Sequence, residues 1–192
     1  METKKKSIKR IIAIVCAVLL FIAAVFYYTD PFEGFNNYEI PANPNDVVLC
    51  YYESDYGNEY YIITNDGMVR MAEYDDWLKR DYEKINSNKT KGVKIEPLTD
   101  KQLHKLTKMN PDNYRGFEFP STVKEQFLPP RKIYYIVQKE NDQFVIKMIW
   151  HINYKYHIES AIRNQFKCRS KYTNDICRYI DYAVDEARKA GL

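Results

Sequence analysis

Residues 11–28 form an unbroken apolar run, IIAIVCAVLLFIAAVFYY, that contains no charged side chain. At a helical rise of about 1.5 Å per residue, a run of this length nearly crosses the ~30 Å hydrocarbon core of a bilayer. Tyr27 and Tyr28 close the run, and amphipathic aromatic rings prefer the boundary between hydrocarbon and headgroups. The pattern predicts a transmembrane helix over residues 11–28, with the lipid bilayer as its partner.

Basic residues near this run lie on one side of it only. The next basic residue after the run is Arg70, whereas a stub at residues 1–10 carries five: Lys4, Lys5, Lys6, Lys9 and Arg10. Because basic residues favour the cytoplasmic side, we predict a single-pass protein of the cell membrane with a cytoplasmic N-terminus. Cleavage as a signal peptide, which would yield a secreted binding protein, is the alternative. The run is longer than usual for a signal, and Ile22 fits the cleavage motif before Ala24 poorly.

Residues 29–45 are rich in turn formers and lack periodicity, which is typical of a spacer. Beyond them, residues 46–192 alternate between strand and helix patterns. We therefore predict a cytoplasmic stub (1–10), a membrane helix (11–28), a spacer (29–45) and an extracytoplasmic domain (46–192).

Two strand–turn–strand patterns predict β-hairpins within this domain. The first turns at Asp66-Gly67, where we expect a type I′ turn that places Ile62 opposite Met71. The second turns at Asn141-Asp142 and faces Ile133, Tyr135 and Val137 toward Trp150, Met148 and Ile146. Apolar alternation continues so far beyond Trp150 that the last strand is expected to bend or bulge.

Helical spacing appears in three places. Trp77, Tyr82 and Ile85 suggest one helix, and residues 99–110 form a second, in which Thr99 and Gln102 match a capping box. A third helix begins near residue 173 and buries Ile176, Ile180, Ala183, Val184 and Ala187. The sequence thus predicts an α+β fold: an antiparallel sheet of about five strands, with two hairpins, packed with about three helices that cover one face.

Charge and cysteine usage narrow the function classes. Once the stub is set aside, basic and acidic residues nearly balance, so the pI near 8.5 does not indicate nucleic acid as a partner. Cys168 and Cys177 flank a short polar stretch in a domain predicted to lie where disulfides form, and we predict that they are bridged. Cys-x-x-Cys and His-Glu-x-x-His motifs are absent from the sequence, so we predict no metal or cofactor.

Residues 111–131 form a long connection with four prolines and several aromatic side chains. Long connections in compact domains are frequently functional, so we predict a contact surface there, made by Tyr114, Arg115, Phe117 and Phe119. The leading functional hypothesis is a non-catalytic binding or accessory domain with a protein partner in the cell envelope. The rival is a glycan-acting enzyme that uses the acidic, tyrosine-rich turn with Glu53, Asp55 and Glu59.

Overall fold

The structure is a computed structural model. It describes residues 2–29, 35–54, 57–87, 90–111, 130–153 and 171–192. Within these ranges an N-terminal apolar helix is followed by a six-stranded antiparallel sheet and four further helices. The chain is therefore an α+β protein, as the sequence predicted.

The strands of the sheet are β1 (Val47–Glu53), β2 (Glu59–Thr64), β3 (Met68–Met71), β4 (Gly92–Lys94), β5 (Pro130–Glu140) and β6 (Gln143–Asn153). Their order across the sheet is β4-β3-β2-β1-β5-β6, and all neighbours are antiparallel. The first four strands form a meander, after which the chain returns to the other side of β1. The sheet has more than the predicted five strands because β4 is too short to show an alternating pattern.

The helices in the described ranges are α1 (Glu2–Thr29), α2 (Tyr74–Lys79), α3 (Tyr82–Ser87), α4 (Asp100–Leu106) and α5 (Lys171–Lys189). Within α1, residues Ile8–Phe26 are long and apolar enough to cross a membrane, and none of them is buried in the protein. The predicted transmembrane helix is thus present as an exposed apolar helix.

Helices pack on both faces of the sheet, and the prediction that they cover one face is wrong. On one face, Tyr51 and Ile63 pack with Ile180 of α5. On the other face, Cys50 packs with Trp77 of α2. The physical reason lies in β1, whose continuous apolar sequence is that of a strand buried on both sides.

The turn between β2 and β3 is not the predicted type I′ turn. Gly67, at φ +85°, is the only residue of this turn with a positive φ, and its N–H donates to the Thr64 carbonyl at 3.0 Å. Three residues therefore join the strands, which is another common hairpin connection. The extra residue shifts the register by one position, so that Tyr61, and not Ile62, lies opposite Met71.

The second hairpin has the predicted two-residue turn, Asn141-Asp142, with φ of +48° and +64°. Tyr135 lies opposite Met148, which confirms the predicted register near the turn. Farther away, an irregularity between Tyr134 and Tyr135 shifts the pairing, so that Trp150 lies opposite Tyr134 rather than Ile133. An irregularity within the last strand is therefore confirmed, whereas the predicted continuation of this strand past Asn153 lies outside the described residues.

The shorter helices follow local sequence signals. The predicted helix around Trp77 is two helices, α2 and α3, because Arg80 adopts a left-handed conformation that ends the first. The capping box of Thr99 and Gln102 at the start of α4 is confirmed. α4 ends at Leu106, four residues earlier than predicted.

Part of the predicted spacer is hydrogen-bonded to the domain. The Tyr38 N–H donates to the Thr107 carbonyl at 2.8 Å, and the Lys139 N–H donates to the Glu39 carbonyl at 2.9 Å. Lys139 also pairs with the Glu39 carboxylate at 2.8 Å. The segment that follows α1 therefore joins the folded domain before residue 46.

Candidate functional site

The acidic, tyrosine-rich turn lies at one end of the sheet. Glu53 ends β1, Glu59 begins β2, and the two residues are direct partners in the ladder. Because paired residues project from the same face of a sheet, both side chains lie on the side that α5 covers. Glu53 is only 1% exposed, so its charge has to be compensated within the protein.

Arg188 of α5 compensates both carboxylates. Its Nη2 donates to Glu53 Oε2 at 2.7 Å and to Glu59 Oε2 at 2.8 Å, and its Nε donates to Glu59 Oε2 at 3.2 Å. Burial by itself would lower the pKa of Arg188, but the hydrogen bonds to the two carboxylates outweigh burial and raise the pKa. One guanidinium thus ties two strands to the helix.

Two tyrosines and a lysine complete this network. The Tyr51 hydroxyl donates to Glu53, and the Tyr61 hydroxyl donates to Glu59, each at 2.8 Å. Lys132 Nζ, from β5, lies 3.5 Å from Glu53 Oε1. We call these residues the Arg188 cluster: Tyr51, Glu53, Glu59, Tyr61, Lys132 and Arg188.

The two hydroxyls of the cluster remain protonated donors at neutral pH. Burial, followed by the hydrogen bond to Glu53, raises the pKa of Tyr51. Burial and the hydrogen bond to Glu59 raise the pKa of Tyr61 to about 12. The cluster therefore contains two carboxylates, two cations and two neutral donors, and its charges balance.

This balance suits a structural role better than glycan chemistry. An acid pair that cleaves a glycosidic bond needs one carboxyl group that holds a proton and another that stays ionised, both beside an open groove. Here Glu53 is paired with both Arg188 and Lys132 and is only 1% exposed, so it does not lie beside an open groove. Asp55, the third acid of the rival hypothesis, lies outside the described residues.

A shallow groove of about 260 Å³ opens at the opposite end of β5. Its lining is polar and consists of Asn37, Tyr38, Glu39, Lys139, Asn141 and Asp142. The side-chain hydrogen bond from Lys139 to Glu39 raises the pKa of Lys139. The groove lies where the docked spacer meets the β5–β6 turn. It offers hydrogen-bonding groups but does not enclose an apolar cavity.

The described residues contain no group of three or more His, Cys, Asp or Glu side chains that could hold a metal ion. His104 is exposed on α4 and belongs to no such group in this part of the chain. The absence of a metal or cofactor stays a prediction for the chain as a whole.

The predicted contact surface of Tyr114, Arg115, Phe117 and Phe119 lies outside the described residues. The same is true of Cys168, whereas Cys177 is fully buried on the inward face of α5. The contact surface and the disulfide therefore stay predictions.

Sequence reasoning missed Arg188 as the centre of the cluster. A signal was available, because Arg188 follows Val184 by four residues and therefore lies near the buried stripe of α5. A basic residue beside an inward stripe either extends its charged end to solvent or pairs with a carboxylate. The local sequence of α5 does not identify that partner, since Glu53 lies 135 residues away.

Comparisons with protein-family models, with curated proteins and with solved structures found no match for this chain.

Proposed function

We propose that the chain is a single-pass membrane protein whose α+β domain acts outside the cytoplasm as a non-catalytic binding or accessory module of the cell envelope. The observation that carries the proposal is the length and the exposure of the apolar span in α1. Its apolar span, Ile8–Phe26, is long enough to cross a bilayer, and no part of it packs into the protein. A continuous apolar surface of this size needs a nonpolar environment, which a bilayer supplies.

The orientation is supported by the distribution of charge. The five basic residues of the stub precede the apolar run, and Arg70 is the first basic residue after it. Basic residues close to a membrane helix favour retention in the cytoplasm. The domain would then be exported and held at the outer surface.

A binding role is supported by the chemistry of the described domain. The acid pair that the rival hypothesis uses is neutralised inside the Arg188 cluster, and the groove beside Lys139 is shallow and polar. The aromatic connection at residues 111–131 supplies the contact surface in this proposal. Its partner would be a protein of the cell envelope.

The anchor is tested by fractionation of cells that produce the full-length chain with a C-terminal tag. The protein should stay in the membrane pellet after an alkaline carbonate wash, and protease added to intact cells should remove the tag. A variant with Leu19→Arg and Leu20→Arg is the control, since each arginine near the centre of a span disfavours insertion by about 2.5–3.5 kcal/mol. Equal retention of both proteins would contradict the anchor.

The mass of the purified protein separates the anchored form from the secreted alternative. A full-length mass indicates a retained helix, whereas loss of the segment up to Ala24 indicates cleavage as a signal. A soluble, shortened product would replace the anchor with a secreted binding protein.

The binding role is tested by chemical cross-linking in intact cells, followed by purification through the tag. We expect one abundant envelope protein to be recovered with the wild-type chain and lost when Tyr114, Phe117 and Phe119 are changed to alanine. Tyr182→Ala removes an exposed aromatic ring from α5 and serves as the matched control. Recovery of no partner, or hydrolysis of envelope glycans by the purified protein, would contradict a non-catalytic binding role.

A further inference from the structure

The domain is tied to α1 at a defined place on its surface. Residues 36–39 dock where α4 ends and where β5 approaches the β5–β6 turn, through the hydrogen bonds of Tyr38 with Thr107 and of Glu39 with Lys139. Lys139 adds an ion pair with the Glu39 side chain at 2.8 Å. This end of the domain is therefore the one from which the chain leads back to α1.

The length of the connection limits how far this end can lie from the membrane. Residues 30–34 are all that separate α1 from Phe35. At a maximum of about 3.5 Å per residue, Phe35 lies at most about 21 Å from Thr29. The apolar span ends at Phe26, only about 5 Å earlier along the helix. Since the headgroup layer is itself about 5–8 Å deep, Phe35 lies within roughly 20 Å of the membrane surface and can reach it without full extension of the connection.

Phe35 is unusually exposed for its type. Its side chain is 82% exposed, more than any other large hydrophobic residue in the described part of the chain. Outside α1, the nearest comparable residues are Tyr182 at 47% and Met148 at 41%. A phenyl ring that is left uncovered within reach of a bilayer can bury its apolar surface at the boundary between headgroups and acyl chains, as the Phe, Trp and Leu side chains of interfacial segments do.

We propose that Phe35 is a second membrane contact of this protein. Its ring inserts at the headgroup boundary of the leaflet from which α1 emerges, and the partner is the phospholipid surface itself. Because residues 36–39 are docked, this contact holds the α4 and β5–β6 end of the domain against the lipid. The Arg188 cluster lies at the other end of β1, about 20 Å away at ~3.3 Å per residue, and faces away from the membrane. The inference rests on the proposed function, since it requires α1 to be inserted.

The test uses the full-length protein in phosphatidylcholine vesicles, with and without bromine on the acyl chains. Phe35→Trp places a fluorescent reporter at the proposed contact. Lys189→Trp is the matched control, because Lys189 has a 72% exposed side chain and lies next to Arg188 at the far end of the sheet. The native Trp77 and Trp150 are buried, and the wild-type signal is subtracted as their background.

We expect brominated lipid to remove a large part of the fluorescence that the Phe35→Trp substitution adds and to leave the fluorescence of the control unchanged. Vesicle flotation after a carbonate wash reports the insertion of α1 separately in the same samples. Insertion without quenching at position 35 would overturn the membrane contact and leave the anchor intact. Equal quenching at both positions would also overturn it, since the contact would then not be specific to Phe35. Failure of the protein to float with the vesicles would overturn both proposals.

Discussion

Replacement of Arg188 by methionine tests whether the Arg188 cluster stabilises the fold. Methionine keeps much of the apolar stem but removes the charge, so Glu53 and Glu59 face each other across the β1–β2 ladder without the shared guanidinium. Like charges directly opposite each other in a sheet repel, and Glu53 would keep Lys132 as its cationic neighbour, at 3.5 Å.

The expected loss follows from burial. Removal of one partner of a buried ion pair typically lowers the free energy of unfolding by about 3–5 kcal/mol. Arg188 is 25% exposed and Lys132 compensates part of the charge, so we expect about 2–3 kcal/mol here. At about 2–4 °C per kcal/mol for a domain of this size, Tm should fall by roughly 5–10 °C.

The assay is unfolding of the full-length protein in detergent, followed by the fluorescence of Trp77 and Trp150, each buried in one of the two cores. Lys189→Met is the control, because it removes an exposed pair with Glu186 and should leave the free energy of unfolding nearly unchanged. If the Arg188 and Lys189 variants were equally stable, the cluster would not stabilise the fold in the way described. Added Glu53→Gln should recover part of the loss if the unpaired charge causes it.

Three further predictions concern pH and the first hairpin. Burial disfavours ionisation of Asp66, but hydrogen bonds with Lys94 and Thr64 outweigh burial and lower its pKa. The stability that the Asp66 carboxylate contributes should therefore be lost as the pH falls below about 4. Asp66→Asn should make the loss of stability at acid pH less steep. Burial raises the pKa of Tyr135 to about 12. The stability that neutral Tyr135 contributes should therefore be lost between about pH 10 and 12, while tyrosinate absorbance reports the ionisation. Gly67→Ala should lower stability by about 1–3 kcal/mol in urea unfolding, because φ is +85° and the new Cβ would lie 2.7 Å from a carbonyl oxygen.

Each of these predictions has an internal comparison. Gly57→Ala meets the same positive φ but no atom within 4 Å, so it isolates backbone strain from the clash at Gly67. Asp142→Asn makes the same substitution at an almost fully exposed carboxylate and is the matched control for Asp66→Asn. Tyr135→Phe removes the ionisable hydroxyl and should make the loss of stability at alkaline pH less steep. Indistinguishable behaviour of any variant and its comparison would contradict the corresponding explanation.

The parts of the fold that depend on neighbouring residues were predictable. The second hairpin turn contains two residues that tolerate positive φ, which sets the register from Tyr135 to Met148 correctly. The capping box of α4 involves residues three positions apart and could be identified directly. The inward stripe of α5 was also predicted correctly, because helical periodicity extends over its whole length.

The errors arose where a distant or additional interaction decided the outcome. The first hairpin gained a third turn residue because the Thr64 hydroxyl donates to Asp66 at 2.6 Å and accepts from the Met68 N–H at 2.9 Å. These side-chain bonds stabilise a turn that the Asp-Gly pair alone does not specify. The Arg188 cluster joins residues from separate strands and a remote helix, so no local pattern in any one of them identifies the site.

The position of α5 in the core has a consequence for the order in which the chain becomes folded. β1 to β3 are synthesised early, yet part of the face that contains Val48 and Tyr51 stays uncovered until Ile176, Ile180 and Val184 follow. Contacts at such sequence separation form late, and incompletely synthesised chains keep apolar sheet exposed. A chain that stops before α5 would therefore expose an apolar surface that chaperones and proteases can bind. Synthesis must therefore continue through α5 before this face of the sheet is fully covered.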